Sequence, residues 1–261
     1  MPAAVYRIGL LVLASLALWA CIKSTDVPRI AAAADLRLAL TDVARAFKRD
    51  TGQDVELVFG SSGNFHQQLR QGAPFDVFLS ADEAYALDLA KTGITVDTGR
   101  LYAVGRLALV APTGSPLKVD EGLAGLRRAL ASGQVRRFAI ANPDHAPYGQ
   151  RAREALEQAG LWASLQPRLI MGENVAQALQ FAIEGGAEGG IVAWSLMLDP
   201  ALAGRADYVL IPAEAHQPLR QRMVLMRTAR EPARAFYDYL AQPAARAILL
   251  RHGFALPPGQ G

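Results

Sequence analysis

From Arg29 onward, short apolar runs alternate with longer segments whose apolar residues recur at helical spacing. Ile30–Ala34 and Val55–Phe59 have the length and apolar character of buried strands, and Leu36–Thr51 between them has the pattern of an amphipathic helix. Such a chain builds parallel sheets covered by helices, because a crossover between parallel strands is long enough to hold a helix. The alternation therefore predicts an α/β fold.

The same pattern divides the chain into two α/β lobes. The first lobe is predicted to contain strands Ile30–Ala34, Val55–Phe59 and Val77–Ser80 and helices Leu36–Thr51, Asn64–Gln71 and Glu83–Thr92. The second is predicted to contain strands Phe138–Asn142, Pro167–Met171 and Gly190–Ala193 and helices Gln150–Ala159 and Val175–Glu184.

Two further strands are predicted to join the lobes. Leu101–Pro112 is a long apolar run that can leave the first lobe, and Gln221–Arg227 can return to it. Helices Ala233–Ala241 and Ala244–His252 then complete the first lobe. We therefore predict that residues 29–106 and 217–258 form the first lobe and residues 107–216 the second.

The charge of the chain excludes one broad class of partner. The 27 Lys and Arg against 24 Asp and Glu leave a formal net charge of +3, and the basic residues never occur in runs longer than a pair. Nucleic-acid binding needs a concentrated basic surface, with stacking aromatic residues where single strands are bound. Neither pattern is present, so no nucleic-acid partner is predicted.

The N-terminus predicts export. Arg7 precedes the apolar run Ile8–Ala20, which is too short for a membrane span and typical of the core of a signal peptide, so residues 1–20 are interpreted as one. Cys21 is the only cysteine, so it cannot form an internal disulfide. We therefore expect a periplasmic protein.

The segment Leu18-Trp19-Ala20-Cys21 resembles a bacterial lipobox, although Trp19 replaces the small residue that is usual there. On this interpretation Cys21 is lipidated and residues 21–28 form a tether to the membrane. Two alternatives stay open: ordinary cleavage near Ala20 or shortly after it, or an exposed Cys21 thiol.

A short turn suggests the kind of ligand. Gly60-Ser61-Ser62-Gly63 lies between the predicted strand that ends at Phe59 and the helix that begins at Asn64. A helix N-terminus presents unpaired N–H groups at the positive end of the helix dipole, and the serines add hydroxyl donors. Because serine is also an ordinary N-cap, the turn alone is weak evidence for an anion site.

Other segments strengthen this interpretation. In chain order they are Ala31-Ala-Ala-Ala-Asp-Leu36, Gln71-Gly-Ala-Pro-Phe-Asp-Val-Phe-Leu-Ser-Ala-Asp-Glu83, Asn142-Pro-Asp-His-Ala-Pro-Tyr-Gly149 and Gly172-Glu-Asn-Val175. Together with the Gly-Ser-Ser-Gly turn, in this order and at these separations, they resemble the periplasmic molybdate-binding proteins of bacterial ABC importers. The resemblance extends from about Ile30 to Leu256.

The resemblance implies both a fold and a function. The implied fold is α/β, that of the class II periplasmic binding proteins, in which two α/β lobes are joined by two crossover strands with a ligand cleft between them. The implied function is capture of a tetrahedral oxyanion, molybdate or tungstate, for an ABC permease in the inner membrane. It also implies a monomer that is not an enzyme and has no cofactor.

The resemblance further implies which residues contact the oxyanion. Carried over onto this chain, they are the turn at Ala34 and Asp35, the hydroxyl and N–H of Ser62, Tyr148 and the N–H of Val175, with Ser61 as an adjacent candidate. All belong to turns that open helices, so oriented N–H and O–H groups can hold the anion without a counter-charge.

Asp35 departs from the family, which usually supplies Ser or Asn at this position. A carboxylate about 4 Å from the ligand would repel each unit of its charge by about 1–4 kcal/mol at effective dielectrics of about 80 to 20. One interpretation is that the carboxylate caps its own helix through the N–H of Arg37 or Leu38. Alternatively, the ligand carries a proton or positive group, the pKa of Asp35 is raised, or Asp35 pairs with Arg37.

Rival functions are weaker. A serine hydrolase would need a base near Ser61 or Ser62, and none is recognisable in the sequence. His145 is interpreted as a surface group, and the four histidines lack metal-ligand spacing, so no metal cation site is predicted. A binding protein that signals to a membrane sensor has the same fold and stays an alternative.

Overall fold

The computed structural model describes residues 27–257. The predicted signal peptide (residues 1–20), Cys21 and most of the predicted tether lie outside the described residues, as do residues 258–261. Within them, ten strands form two five-stranded sheets: β1 (Arg29–Ala33), β2 (Glu56–Gly60), β3 (Val77–Ser80), β4 (Arg100–Gly105), β5 (Leu107–Pro112), β6 (Phe138–Ala141), β7 (Leu169–Gly172), β8 (Gly189–Ala193), β9 (Ala206–Leu210) and β10 (Leu219–Leu225).

Each sheet is mixed and belongs to one lobe. The first has the order β2-β1-β3-β10-β4, with β1 parallel to β2 and β3 and with β10 antiparallel to β3 and β4. The second has the order β7-β6-β8-β5-β9, with β6 parallel to β7 and β8 and with β5 antiparallel to β8 and β9. The predicted α/β class and two-lobe architecture are confirmed.

The described residues also contain ten α-helices: α1 (Arg37–Thr51), α2 (Ser62–Arg70), α3 (Glu83–Lys91), α4 (Ala124–Ala131), α5 (Pro147–Gln158), α6 (Trp162–Leu165), α7 (Val175–Ile183), α8 (Trp194–Met197), α9 (Glu231–Tyr239) and α10 (Pro243–Arg251). Short 3-10 turns cover Ala34–Leu36, Gln166–Arg168, Pro200–Leu202 and Ala213–Ala215. No helix within residues 27–257 combines the length and the apolar character that crossing a membrane would require.

The chain crosses between the sheets twice. It leaves the first sheet at the end of β4 and enters the second as β5, and it returns from β9 to β10. The prediction of one continuous strand over Leu101–Pro112 is wrong, because the run divides at Arg106 into one strand for each sheet. The lobe boundaries near residues 106 and 216 stay a prediction.

Burial of apolar faces accounts for the main elements. Helix α1 turns one face inward, with Leu40, Val43 and Phe47 buried, and it ends at Gly52 in the left-handed conformation. The Phe47 ring meets those of Phe236 and Tyr239 edge to face, at centroid distances of 5.2 and 5.3 Å. Edge-to-face aromatic packing of this kind attaches α9, which contains both Phe236 and Tyr239, to α1 in the first lobe.

The register of the strands decides where the helix-opening turns lie. In the first sheet Ala33 of β1 pairs with Gly60 of β2, and in the second Ala141 of β6 pairs with Gly172 of β7. Neighbouring parallel strands therefore end side by side, and the segments that follow them emerge at one edge of each sheet. Ligands of α/β proteins bind at such carboxyl ends.

Candidate functional site

The six residues implicated by the sequence line one cavity between the lobes. Ala34, Asp35, Ser61 and Ser62 come from the first lobe, and Tyr148 and Val175 come from the second. The remaining lining residues are Ala33, Gly60, Ala81, Ala146, Pro147 and Asn174. The structure thus brings all six together; that they bind the ligand stays a prediction.

The serine turn supplies two different groups. Ser61 is the N-cap of α2 in an extended conformation, and its Oγ lies 3.5 Å from the N–H of Asn64. The Oγ of Ser62 accepts a hydrogen bond from the N–H of Ala81 at 3.0 Å. The Ser62 hydroxyl proton bonds to no group among residues 27–257, so the buried side chain can act as a donor in the cavity.

Two helices of the second lobe contribute N–H groups. Asn174 caps α7, and its Oδ1 accepts from the N–H groups of Ala176 and Gln177 at 3.0 and 3.1 Å. The cap does not use the N–H of Val175, which therefore remains available to a ligand. Helix α5 begins at Pro147, which has no N–H, so Tyr148 supplies the first one of that helix. N–H groups of a first turn have no acceptor within their own helix and favour an anion.

Asp35 does not cap α1. No side-chain hydrogen bond caps that helix, and the Asp35 Oδ2 instead accepts from the Tyr148 hydroxyl at 2.9 Å and from Gln221 Nε2 at 2.5 Å. The interpretation of Asp35 as an N-cap is therefore wrong. The physical reason is that the 3-10 turn Ala34–Leu36 carries Asp35 into the seam between the lobes, where donors of other elements reach it.

The network around Asp35 extends into the first sheet. The Tyr102 hydroxyl donates to Gln221 Oε1 at 2.8 Å, so the amide nitrogen of Gln221 faces the carboxylate. Ser195 of α8 donates its hydroxyl to the backbone carbonyl of Asp35 at 2.8 Å. All of these groups are buried. Asp35 is thus held by contacts from three other elements, two of them to its carboxylate and one to its backbone carbonyl.

Burial changes the acidity of this network. Desolvation raises the pKa of the Asp35 carboxyl to about 6, and the hydrogen bonds from Gln221 and Tyr148 limit the rise. Desolvation and the nearby charge of Asp35 raise the pKa of Tyr102 and of Tyr148 well above the ordinary range. Both phenols therefore stay protonated donors, and Asp35 is the group that can change charge near neutral pH.

His145 is part of the seam. Its ring Nδ1 lies 2.9 Å from Ser61 Oγ, and its carbonyl accepts from the Ser61 hydroxyl at 2.6 Å and from the N–H of Gly63 at 2.9 Å. Its Nε2 lies 3.6 Å from a carboxylate oxygen of Glu173. The interpretation of His145 as a surface group is wrong, because contacts across the seam leave its side chain only 18% exposed. A base therefore does lie beside Ser61.

Gln221 and Tyr102 were missed by the sequence analysis, and for Gln221 a signal existed. In β10 the buried residues Leu219, Gln221 and Met223 occupy alternate positions, so Gln221 falls on the inward face of the strand. A buried amide needs a polar partner, which marks it as a member of a buried network.

The cavity is small and carries no basic side chain. Its interior volume is about 10 Å³, far below the about 300–1,000 Å³ of sites for drug-sized ligands. None of its lining residues is Lys or Arg. Its donors are the first-turn N–H groups of α2, α5 and α7 and the Ser62 hydroxyl, an arrangement that suits a small anion held by dipoles.

Comparisons with known proteins agree with this architecture. The family model described as bacterial extracellular solute-binding protein matches residues 28–255. The molybdate-binding protein ModA of Azotobacter vinelandii is 36% identical over 243 residues, which cover 92% of this chain and 94% of that protein. The ModA of Rhodobacter capsulatus is 34% identical over 227 residues, with 86% of both chains covered.

A solved structure gives the same result. The periplasmic molybdate-binding protein of Azotobacter vinelandii superposes with a TM-score of 0.79 at 31% identity, covering 88% of this chain and 99% of that one. The sulfate-binding protein SubI of Mycobacterium tuberculosis shares the fold, with a TM-score of 0.73 at 14% identity. The chain belongs to the family of bacterial extracellular solute-binding proteins.

Proposed function

We propose that this protein binds a tetrahedral oxyanion, molybdate or tungstate, outside the cytoplasm and delivers it to an ABC permease of the inner membrane. The observation that carries the proposal is the convergence of the first turns of α2, α5 and α7, from both lobes, on one small cavity without a basic side chain. The similarity to molybdate-binding proteins over nearly the whole chain supports the choice of ligand.

Titration calorimetry with a panel of oxyanions tests this function. We expect the purified protein to bind molybdate and tungstate with similar affinity and to bind sulfate and hydrogen phosphate much more weakly. The expected preference rests on size, since the first two anions are similar to each other and larger than the others. A clear preference for sulfate or phosphate, or no binding of any of the four, would contradict the proposal.

Ligand capture is also expected to close the lobes. Donors on both lobes can meet the anion together only in a closed state, and groups across the seam already pair there, as Arg151 Nη2 does with Asp82 Oδ2 at 2.8 Å. We therefore expect X-ray scattering to give a smaller radius of gyration with saturating molybdate than without it, at the mass of a monomer. Identical profiles would mean that the pocket is rigid.

We also propose that the protein is not an enzyme, although Ser61 lies beside His145. The Ser61 hydroxyl donates its proton to the His145 carbonyl at 2.6 Å, and the side chain is buried in the seam. A nucleophilic serine must instead give its proton to the base and be open to substrate. We expect no hydrolysis of a generic ester substrate and no labelling of the protein by a serine-directed covalent probe. Labelling of Ser61 would favour a hydrolase.

A further inference from the structure

The Asp35 carboxylate is satisfied on one oxygen only. Its Oδ2 accepts two hydrogen bonds, from Gln221 and Tyr148, whereas its Oδ1 is buried and forms no hydrogen bond of normal geometry in the described part of the chain. The nearby N–H groups of Asp35 and Leu36 act on the carboxyl only by lowering its pKa. The residue is 1% exposed and lines the ligand cavity. A buried polar atom without a partner is rare and requires an explanation.

The surroundings of Asp35 contain donors but no compensating cation. Tyr148 faces it from α5, Gln221 from β10 and Ser195 from α8, with Tyr102 of β4 behind Gln221. Helix α7 contributes Val175 and its cap Asn174 to the cavity, and both are neutral.

Arg37, the charged residue nearest to Asp35 along the chain, contacts an aromatic ring instead of the Asp35 carboxylate. The guanidinium of Arg37 lies over the Phe59 ring, 5.3 Å from its centroid. Among residues 27–257, no Lys, Arg or His forms an ion pair with Asp35. An ionised Asp35 would therefore face an oxyanion with its charge uncompensated.

We propose that Asp35 takes up one proton from solvent when the oxyanion binds. The proton stays on Oδ1, from which the carboxyl donates a hydrogen bond to an oxygen of the ligand. The inference rests on the proposed function, because it requires an anion in this cavity. Protonation gives the unpartnered Oδ1 a hydrogen bond and converts Asp35 from a negative group that repels the anion into a neutral hydrogen-bond donor. Gln221 and Tyr148 act as positioning residues, since they occupy Oδ2 and leave Oδ1 for the ligand.

The direction of the pH effect follows from linkage. Burial raises the pKa of Asp35 to about 6 in the protein, and a bound anion raises it further, because a like charge opposes ionisation. Affinity is therefore greatest below about pH 6 and falls by up to about tenfold for each pH unit above it, until the pKa of the complex is reached. Molybdate has no proton to lose in this range, so the dependence belongs to the protein.

Calorimetry with sodium molybdate in buffers of different ionisation enthalpy measures the proton directly. At about pH 7.5 we expect wild type to take up about one proton for each molybdate bound. Asp35→Asn should take up none, because its amide donates at every pH while its oxygen still accepts from Gln221 and Tyr148. At about pH 8 we expect this variant to bind molybdate at least about tenfold more tightly than wild type.

Asp144→Asn is the matched control. It removes the same charge from an exposed residue of the turn before α5 and should keep the wild-type affinity and proton uptake. The wild-type measurement needs no variant, so the inference can be tested even if Asp35→Asn does not fold.

The outcomes separate the inference from the function. Tight molybdate binding by wild type without proton uptake and with constant affinity across pH would overturn the inference and leave the function intact. Failure of both wild type and Asp35→Asn to bind molybdate at any pH would overturn the function and the inference together. Tighter binding of hydrogen phosphate than of molybdate by wild type, lost in Asp35→Asn, would overturn both the inference and the choice of molybdate, because the ligand would then bring the proton.

Discussion

Gly63→Ala is expected to weaken molybdate binding by about 100-fold while leaving the fold of each lobe intact. A Cβ at this position of α2 would lie 2.5 Å from the carbonyl oxygen and 2.9 Å from the Cα of His145, across the seam. Because the opposing atoms are backbone, the clash can be relieved only by opening the lobes, at a cost of about 3 kcal/mol. Alanine is also the better helix former, by about 1 kcal/mol.

Calorimetry and thermal unfolding separate the two effects. The affinity of Gly63→Ala should fall while its midpoint of unfolding, without ligand, stays at or above that of wild type. Gly122→Ala is the matched control, since the nearest atom to its Cβ would be 3.7 Å away, in ordinary contact. Wild-type affinity in Gly63→Ala would show that binding does not need the closed seam.

Ser62→Ala is expected to weaken molybdate binding by about 10- to 100-fold, or roughly 1.5–3 kcal/mol. Ser62 Oγ already accepts from the N–H of Ala81, so its proton is left for the anion, and the variant loses that charge-assisted bond. It also leaves the buried N–H of Ala81 unpaired, which should lower the free energy of unfolding by about 1–3 kcal/mol.

The loss of affinity and the loss of stability in Ser62→Ala can be measured separately. The unpaired N–H of Ala81 is present both with and without ligand, so it lowers stability without changing affinity. Urea denaturation of the free protein reports its cost, and calorimetry reports the lost ligand bond. Ser61→Ala is the comparison: its hydroxyl caps α2 and donates across the seam to the His145 carbonyl, so we expect a loss of about 0.5–1.5 kcal/mol in affinity, or about 2- to 10-fold. A large loss of molybdate affinity in Ser61→Ala, with wild-type affinity in Ser62→Ala, would reverse the roles assigned to the two serines.

The turns that form the cavity could be predicted because their signals are local. A strand that ends in Gly-Ser-Ser-Gly and continues as a helix can be recognised from consecutive residues, although α2 begins at Ser62, two residues before the predicted start at Asn64. The same holds for Val175, where Asn174 caps α7. At Tyr148 the predicted helix began three residues late, because Pro147 is the first residue of α5.

Elements stabilised by distant contacts were harder to predict. Helix α4 was missed, and it contains Gly125, a poor helix former. A Cβ there would lie 1.9 Å from the carbonyl oxygen of Lys118, so only glycine allows this close packing. Strand β9 was also missed: none of its residues is fully buried, and it is defined by pairing with β5, about a hundred residues earlier in the chain.

By itself, the sequence determined the alternation of strands and helices, the two lobes and the donor-bearing turns, because each depends on residues that are neighbours or lie within one helical period. Only the tertiary structure decided the environment of Asp35, whose partners Tyr148 and Gln221 lie 113 and 186 residues away. The acidity and contacts of a buried carboxyl depend on which groups surround it in space. Sequence neighbours favoured a helix cap, and packing of the two lobes instead made it a buried acid beside the ligand cavity.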